Sequence, residues 1–203
     1  MYIPKHFKIE DPAWIRAFMQ EHRFAVLIGI RDGEPFATHL PLLYDATPPP
    51  HGTILGHVAR ANPHWQAFET SLQLAIFQGP HAYVSPTWYE STGPAVPTWN
   101  YTTVHAYGRA RIVDDSGAVR EILRRLTERE ERNLEPRFLV ETLDADYVEH
   151  MTRQIVAFEI PIVRLEAKAK LNQNRTPEER RRVADVLGGE VGALMEELSL
   201  RSS

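Results

Sequence analysis

Residues 81–108 read HAYVSPTWYESTGPAVPTWNYTTVHAYG. Two runs rich in aromatic and β-branched residues, 81–85 and 99–108, flank residues 86–98, whose prolines and glycine mark a long loop rather than a tight hairpin turn. The stretch carries Trp88 and Trp99 of the chain's four tryptophans, and Tyr83, Tyr89, Tyr101 and Tyr107 of its seven tyrosines. Rings bracketing such a loop suit the wall of a flat, conjugated ligand, because an aromatic face offers large contact area at low entropy cost. They suit an irregular structural connection equally well, and the stretch alone leaves both readings open.

Working outward toward the N-terminus, residues 72–79 (LQLAIFQG) and 53–58 read as strands. Residues 24–30 (FAVLIGI) form a continuous apolar run, expected to be a strand buried on both faces. Asp32-Gly33 supplies hairpin-turn chemistry, so a partner strand is expected through residues 36–44. Within it Pro41 cannot donate a ladder hydrogen bond, which predicts an edge or a bulge there. Asp11-Pro12 starts a helix whose stripe is Trp14, Ile15, Phe18 and Met19. Asn62 is expected to cap a short helix begun by Pro63, and with Arg60 beside it the segment is a candidate anion seat.

Toward the C-terminus, residues 99–113 are long enough for a central strand, and Asp114-Asp115-Ser116 cap a helix with the stripe Val119, Ile122, Leu123 and Leu126. Residues 138–151 read as helical with a break near Asp144, and 154–166 return to strand. A tail is expected from Ala167. In it Thr176 and Glu179 form a capping box for a helix to about Leu187, and Gly188-Gly189 separate that helix from a second at 190–198. About six strands, several hairpin-joined, with inserted or peripheral helices, predict a mainly β, antiparallel, barrel-like domain over residues 1–166 and a helical tail over 167–203.

Bulk properties narrow the function. The chain has 203 residues, 43% hydrophobic and 25% charged, enough for one domain with a real core. Without cysteine it has no disulfide, thiolate nucleophile or Cys-ligated metal. No signal-peptide pattern and no apolar run near membrane-spanning length occur, so a soluble, cytoplasmic protein without a membrane partner is expected. The net charge is −4; residues 1–163 hold 15 basic and 20 acidic groups and residues 164–203 hold 8 and 7. Neither part is an electrostatic nucleic-acid binder by charge.

The familiar catalytic patterns are missing. There is no GxSxG elbow and no glycine-rich phosphate loop. His39, His57, His81 and His105 could converge from neighbouring strands, but they form no HxH or HExxH pattern, so no metal site is expected. What remains is distributed: Arg60 and Asn62, the strand at 38–42, the aromatic loop after Tyr83, and the amide-rich basic segment 168–175. A phosphate seat, a hydrogen-bonding edge and a flat ring face together outline a flavin mononucleotide (FMN).

The motifs MYIPKHF at 1–7, THLPL at 38–42, HVARANPH at 57–64, GPHAYVSPTWY at 79–89, VPTWNY at 96–101, VHAYG at 104–108 and KLNQNR at 170–175 resemble the PaiB-like family, described as FMN-binding negative transcriptional regulators. The resemblance runs in order from residue 1 to about 187. It implies an antiparallel split β-barrel similar to the pyridoxamine-phosphate-oxidase-like proteins, usually a homodimer with flavin at the subunit interface. It also implies a set of FMN contacts. Arg60 and Asn62 would lie near the phosphate, and Thr38, His39, Leu40 and Pro41 beside the isoalloxazine edge. Trp99 and Tyr101 would close the ring pocket, and Lys170 and Gln173 would reach FMN from the tail. The family motif carries serine where this chain has Asn172, so Asn172 is left out of that set.

The family label implies repression of transcription, yet the helix-turn-helix-like segment 176–198 gives little physical support for DNA binding. Its second helix, EVGALMEELSL, has three glutamates and no Arg, Lys, Asn or Gln with which to read bases. The other readings are a flavin-dependent oxidoreductase and, further off, a haem protein with one of the four histidines as axial ligand.

Overall fold

The structure, a computed structural model, describes residues 1–89 and 94–200, Leu200 by its backbone only. In chain order the elements are β1 (Lys8–Ile9), α1 (Pro12–Glu21), β2 (Phe24–Arg31), β3 (Glu34–Pro41), β4 (Leu43–Asp45), β5 (Thr53–Ala59), β6 (Gln73–Val84), β7 (Thr98–Gly108), β8 (Arg111–Val113), α2 (Ser116–Glu131), α3 (Ala145–Arg153), β9 (Ile155–Lys170), α4 (Pro177–Leu187) and α5 (Gly189–Leu200). Among the described residues the strands follow the order β3-β2-β6-β7-β9-β5-β4, with β1 and β8 pairing β9. The β2–β3, β2–β6, β4–β5, β5–β9, β1–β9 and β8–β9 ladders are all antiparallel. The fold is thus an antiparallel sheet with peripheral helices.

The chain divides into two compact units, one of Met1–Ile15, Gln78–Val104 and Glu166–Ser203, the other of Arg16–Phe77 and His105–Leu165. In the second unit the β2–β3 hairpin turns through Asp32 and Gly33, both at positive φ (53° and 82°). A turn of that kind matches the right-handed twist of the strands, and Gly33 adopts it without the Cβ penalty. β3 ends at Pro41 on the edge of the sheet, paired with Phe24, as a residue lacking an N–H requires. The strand expected over 36–44 therefore splits: Leu42 breaks it, donating its N–H to the Arg23 carbonyl, and β4 pairs instead with β5.

Burial in β2 alternates. Ala25, Leu27 and Gly29 are covered, Val26 and Ile28 are half-covered, and Phe24 and Ile30 are exposed, so only one face is fully buried where two were expected. Phe68 and Phe158 meet edge to face at 4.7 Å in the core of this unit, and Phe77 is also fully buried. Burying each such ring stabilises the fold by about 2–3 kcal/mol. α2 begins at the Asp115 cap, which accepts from the Ala118 N–H, and it buries Ile122 and Leu126 against Leu43 and Ala157. Of the helix expected over 138–151, the α-helical part is α3, which starts at its Asp144 cap.

In the first unit the capping box of α4 forms as expected, between Thr176 and Glu179. β9 continues through Lys170, four residues past the expected strand end at Glu166. Beyond it Val183, Ala184, Val191 and Met195 of the two C-terminal helices pack with Val84, Tyr89, Ala169 and Leu171 in one apolar core. Of the run at 81–85, residues 81–84 are the end of β6, continuous with the strand expected at 72–79, and Ser85 caps the 3₁₀ turn that follows. Of the loop expected over 86–98, residues 90–93 lie outside the described residues. No helix among the described residues is long and apolar enough to cross a membrane.

Candidate functional site

The Arg16–Phe77 and His105–Leu165 unit brings Thr38 and Asn62 together. Thr38 lies on β3, half-buried, with Leu40 buried on the same side and His39 exposed on the other. β5 ends at Ala59, and Asn62 then caps a 3₁₀ turn, Pro63–Ala67, by accepting from the His64 N–H at 3.0 Å. The helix expected here is thus a five-residue 3₁₀ turn. The cap turns the other end of the Asn62 amide toward Thr38, whose Oγ1 accepts from Nδ2 at 3.1 Å.

Behind this pair lies a buried polar chain that the sequence reading did not find. Thr38 Oγ1 is 2.9 Å from His64 Nδ1, and His64 Nε2 is 3.1 Å from Gln73 Oε1. Gln73 Nε2 donates to the Ala67 and Ser71 carbonyls, both at 3.1 Å, and to Ser71 Oγ at 2.9 Å. His64 and Gln73 are both fully buried, and the rings of Phe36 and Phe68 lie 5.2 Å and 5.5 Å from the imidazole. Burial pushes the His64 pKa down, with Gln73 opposing weakly. Room for the pair comes from Gly29: a Cβ there would lie 2.5 Å from Gln73 Oε1 and 2.9 Å from His64 Nε2. The signal was available in one respect. Gln73 occupies an inward position of β6 in register with Ala75 and Phe77, and a polar residue on a buried face is informative.

Arg60 does not share that corner. Its Nε donates to the Arg153 carbonyl at 2.7 Å and its Nη2 to the Ile155 carbonyl at 2.8 Å, so two of the five guanidinium N–H groups tie the end of α3 to the start of β9. Beside it opens a cavity of about 580 Å³ walled by Arg60, Trp65, Val119, Arg120, Glu149 and Arg153 among others. Glu149 is paired with Arg153, and that bond, with Arg120 as a weaker influence, holds its carboxyl below the usual carboxylate range. Among the described residues this lining includes neither Thr38 nor Asn62.

The other unit carries the remaining expected residues. Trp99 on β7 is 54% exposed, with the Tyr83 ring 6.0 Å away at 74° and the His81 ring 6.2 Å away at 40°. Tyr101, two residues along β7, has Lys168 Nζ 4.9 Å from its ring centre, a cation–π distance. Lys170 donates to the Trp99 carbonyl at 2.8 Å and to Thr98 Oγ1; burial and then Lys168 push its ammonium pKa down. Gln173 is occupied locally, accepting from the Leu171 N–H at 2.7 Å and donating to the Ala169 carbonyl at 2.6 Å. Asn172, buried and left-handed at φ 64°, donates to Tyr89 Oη at 3.3 Å, which is a structural task.

Of the four histidines, His57 is held low by burial, with no hydrogen bond to its buried Nδ1. No group of three or more metal-ligating side chains gathers among the described residues. Each unit by itself offers groups that suit a part of FMN in kind: an uncharged donor and acceptor at Thr38 and Asn62 in one, and the exposed Trp99 ring with the Lys170 ammonium near it in the other.

The antiparallel sheet with peripheral helices is a fold of the split-barrel class. The chain belongs to the family described as "Putative FMN-binding domain", whose model matches residues 1–164, and FMN is the cofactor of that family. It is 38% identical over 191 residues to "Protease synthase and sporulation protein PAI 2" of Bacillus subtilis (strain 168), covering 94% of this chain and 90% of that one. It is 31% identical over 153 residues to an uncharacterized protein of Saccharomyces cerevisiae, covering 64% of this chain and 90% of the other. Among solved structures, the FAD and haem binding protein from Mycobacterium smegmatis shares the fold with a TM-score of 0.63 at 15% identity, over 90% of this chain and 80% of that one. A flavocytochrome from Azotobacter vinelandii shares it with a TM-score of 0.62 at 16% identity, over 88% and 77%.

Proposed function

We propose that this protein is a flavin-linked regulator or sensor that binds FMN, acting as a homodimer in the cytoplasm. The observation that carries the reading is the corner made by Thr38 and Asn62, an uncharged donor and acceptor 3.1 Å apart, held from behind by fully buried His64 and Gln73. Buried polar chains of this kind cost stability unless every member is satisfied, so their presence under a surface corner argues for a preorganised ligand contact. When bound, FMN supplies a redox-active ring; the chain's own part is to hold and orient it. We assign that task to Thr38 and Asn62; Trp99, Tyr101 and Lys170 of the other unit are each proposed as flavin contacts in their own right. His39, Leu40 and Pro41 are secondary contacts through the strand, and Arg60 and Gln173 have the structural tasks described above.

The regulatory part of the reading draws on the name of the Bacillus relative, a sporulation protein. Direct DNA contact is its weaker form, because α5 presents Glu190, Glu196 and Glu197 and no basic residue up to Leu200. The second reading, a flavin-dependent oxidoreductase, is favoured by the exposure of Trp99, which leaves a ring held against it reachable by a second reactant.

The visible spectrum of the purified protein, before and after adding FMN, tests the cofactor. Flavin bands that co-elute with the protein are expected. A Soret band would replace FMN by haem, and a colourless protein that takes up no FMN sinks the reading. Light scattering tests the dimer, a low-salt mobility shift tests DNA, and anaerobic bleaching of the flavin band by NADH or NADPH would move the function to the oxidoreductase.

A further inference from the structure

The polarity of the chain Asn62–Thr38–His64–Gln73 follows from groups that can act in only one way. A backbone N–H only donates, so the Asn62 atom 3.0 Å from the His64 nitrogen is Oδ1, and its amide nitrogen faces Thr38. Carbonyls only accept, so the Gln73 atom 3.1 Å from those of Ala67 and Ser71 is Nε2, and its oxygen faces His64. That oxygen cannot donate, so His64 Nε2 carries a hydrogen. With the ring kept neutral by burial, Nδ1 is a lone pair, and Thr38 must donate to it. The Thr38 hydroxyl has then committed its single hydrogen inward and accepts one bond from Asn62, leaving one lone pair. Asn62 has committed its oxygen and one amide hydrogen, leaving one hydrogen.

We infer that Thr38 and Asn62 together read the imide edge of the isoalloxazine, Thr38 accepting from the ring N3–H and Asn62 donating to an adjacent ring carbonyl, with His64 and Gln73 as positioning residues. This rests on the FMN reading above and sharpens it, because it moves Asn62 from the phosphate to the ring. An imide edge alternates acceptor, donor and acceptor, and an adjacent donor and acceptor complement it. A phosphate dianion is complemented by cations and multiple donors; here it would face the Thr38 lone pair. Arg60, the cation two residues from Asn62, is turned to the Arg153 and Ile155 carbonyls. The inward tautomer is what makes Thr38 an acceptor: were His64 Nδ1 to carry the hydrogen, the hydroxyl would turn its own hydrogen outward and oppose the N3–H.

Flavin fluorescence titrations with FMN, riboflavin and 3-methyl-FMN test this on the full chain. The wild-type protein is expected to bind 3-methyl-FMN about tenfold more weakly than FMN, the loss of one good hydrogen bond. Thr38→Val is expected to bind FMN about tenfold more weakly than wild type, also one hydrogen bond, and to treat FMN and 3-methyl-FMN alike, with the preference for FMN over riboflavin unchanged. Thr38→Ser, which keeps the hydroxyl, is expected to restore the discrimination, and this arm stands even where the valine variant folds poorly. Gln73→Leu, which releases the His64 tautomer, is expected to reduce discrimination against 3-methyl-FMN while riboflavin still binds. If Thr38→Val instead abolishes the preference for FMN over riboflavin and keeps discrimination against the methyl group, the corner is a phosphate seat and the inference is overturned. Equal binding of FMN and 3-methyl-FMN by the wild type also overturns it. Absence of all flavin binding sinks the FMN reading itself and this inference with it, an outcome distinct from the other two.

Discussion

Gly29 and Gln73 are mutually dependent: a Cβ at position 29 would lie 2.5 Å from Gln73 Oε1, within the fully buried layer where that oxygen accepts from His64. The absent side chain on β2 is what allows a polar pair to lie flat in an otherwise apolar core. Gly29→Ala is therefore expected to destabilise the protein by about 1–3 kcal/mol, the range for overpacking a filled site. A urea-unfolding midpoint unchanged from wild type would show that the His64–Gln73 pair can shift at no cost.

Trp99 is 54% exposed, with the Tyr83 ring edge-on and the His81 ring tilted beside it, so its side chain contributes little to the fold. Trp99→Ala should change unfolding free energy by no more than about 0.5 kcal/mol. The same substitution is expected to weaken FMN binding several-fold, since an aromatic contact contributes about 0.5–1.5 kcal/mol beyond its area. Unchanged affinity by flavin fluorescence would remove Trp99 from the ring contacts.

Arg60 is expected to matter for stability and not for phosphate. Arg60→Gln loses two bonds to the carbonyls at the end of α3 and the start of β9, and should cost about 1 kcal/mol without any ligand. Its preference for FMN over riboflavin should match that of the wild type. A selective loss of FMN affinity would return Arg60 to the phosphate.

Stability should fall with acid. Burial holds both His57 and His64 below the ordinary imidazole value of about 6.5, so the unfolded chain takes up protons first as pH drops. The stability these two residues confer is complete above pH of about 6.5 and is lost progressively as pH falls below it toward their folded pKa values. Urea unfolding at pH 7.5 and 5.5 measures the loss. His57→Phe, which replaces a ring whose buried Nδ1 has no hydrogen bond, should shrink the difference. An unaltered difference would mean that other groups dominate the acid limb.

Much of the architecture was legible in local chemistry. Asp32-Gly33 specified a turn that needs positive φ, Pro41 placed its strand at an edge, and the Asn62, Asp115 and Thr176 caps marked helix starts through short-range bonds to their own backbone. Such signals act over a few residues, so a single chain displays them. The run at 81–108 was legible as aromatic and strand-forming, but not as the continuation of a strand that starts at Gln73. The family motifs named FMN, and the matching family model supports it.

What the sequence could not decide was where each polar group points. Arg60 and Asn62 are two residues apart and by spacing suit one anion seat, yet Arg60 bonds carbonyls about ninety residues on while Asn62 bonds Thr38. By sequence His64 lies in the short helix expected after Pro63 and Gln73 in the strand expected over 72–79. Only the packing of β2, β3 and β6 against the 3₁₀ turn makes them one hydrogen-bonded chain. The physical reason is directional: composition and spacing state which donors and acceptors exist, but a hydrogen bond has a partner and a polarity only when tertiary structure brings a group that can act in one way alone against one that can act in two.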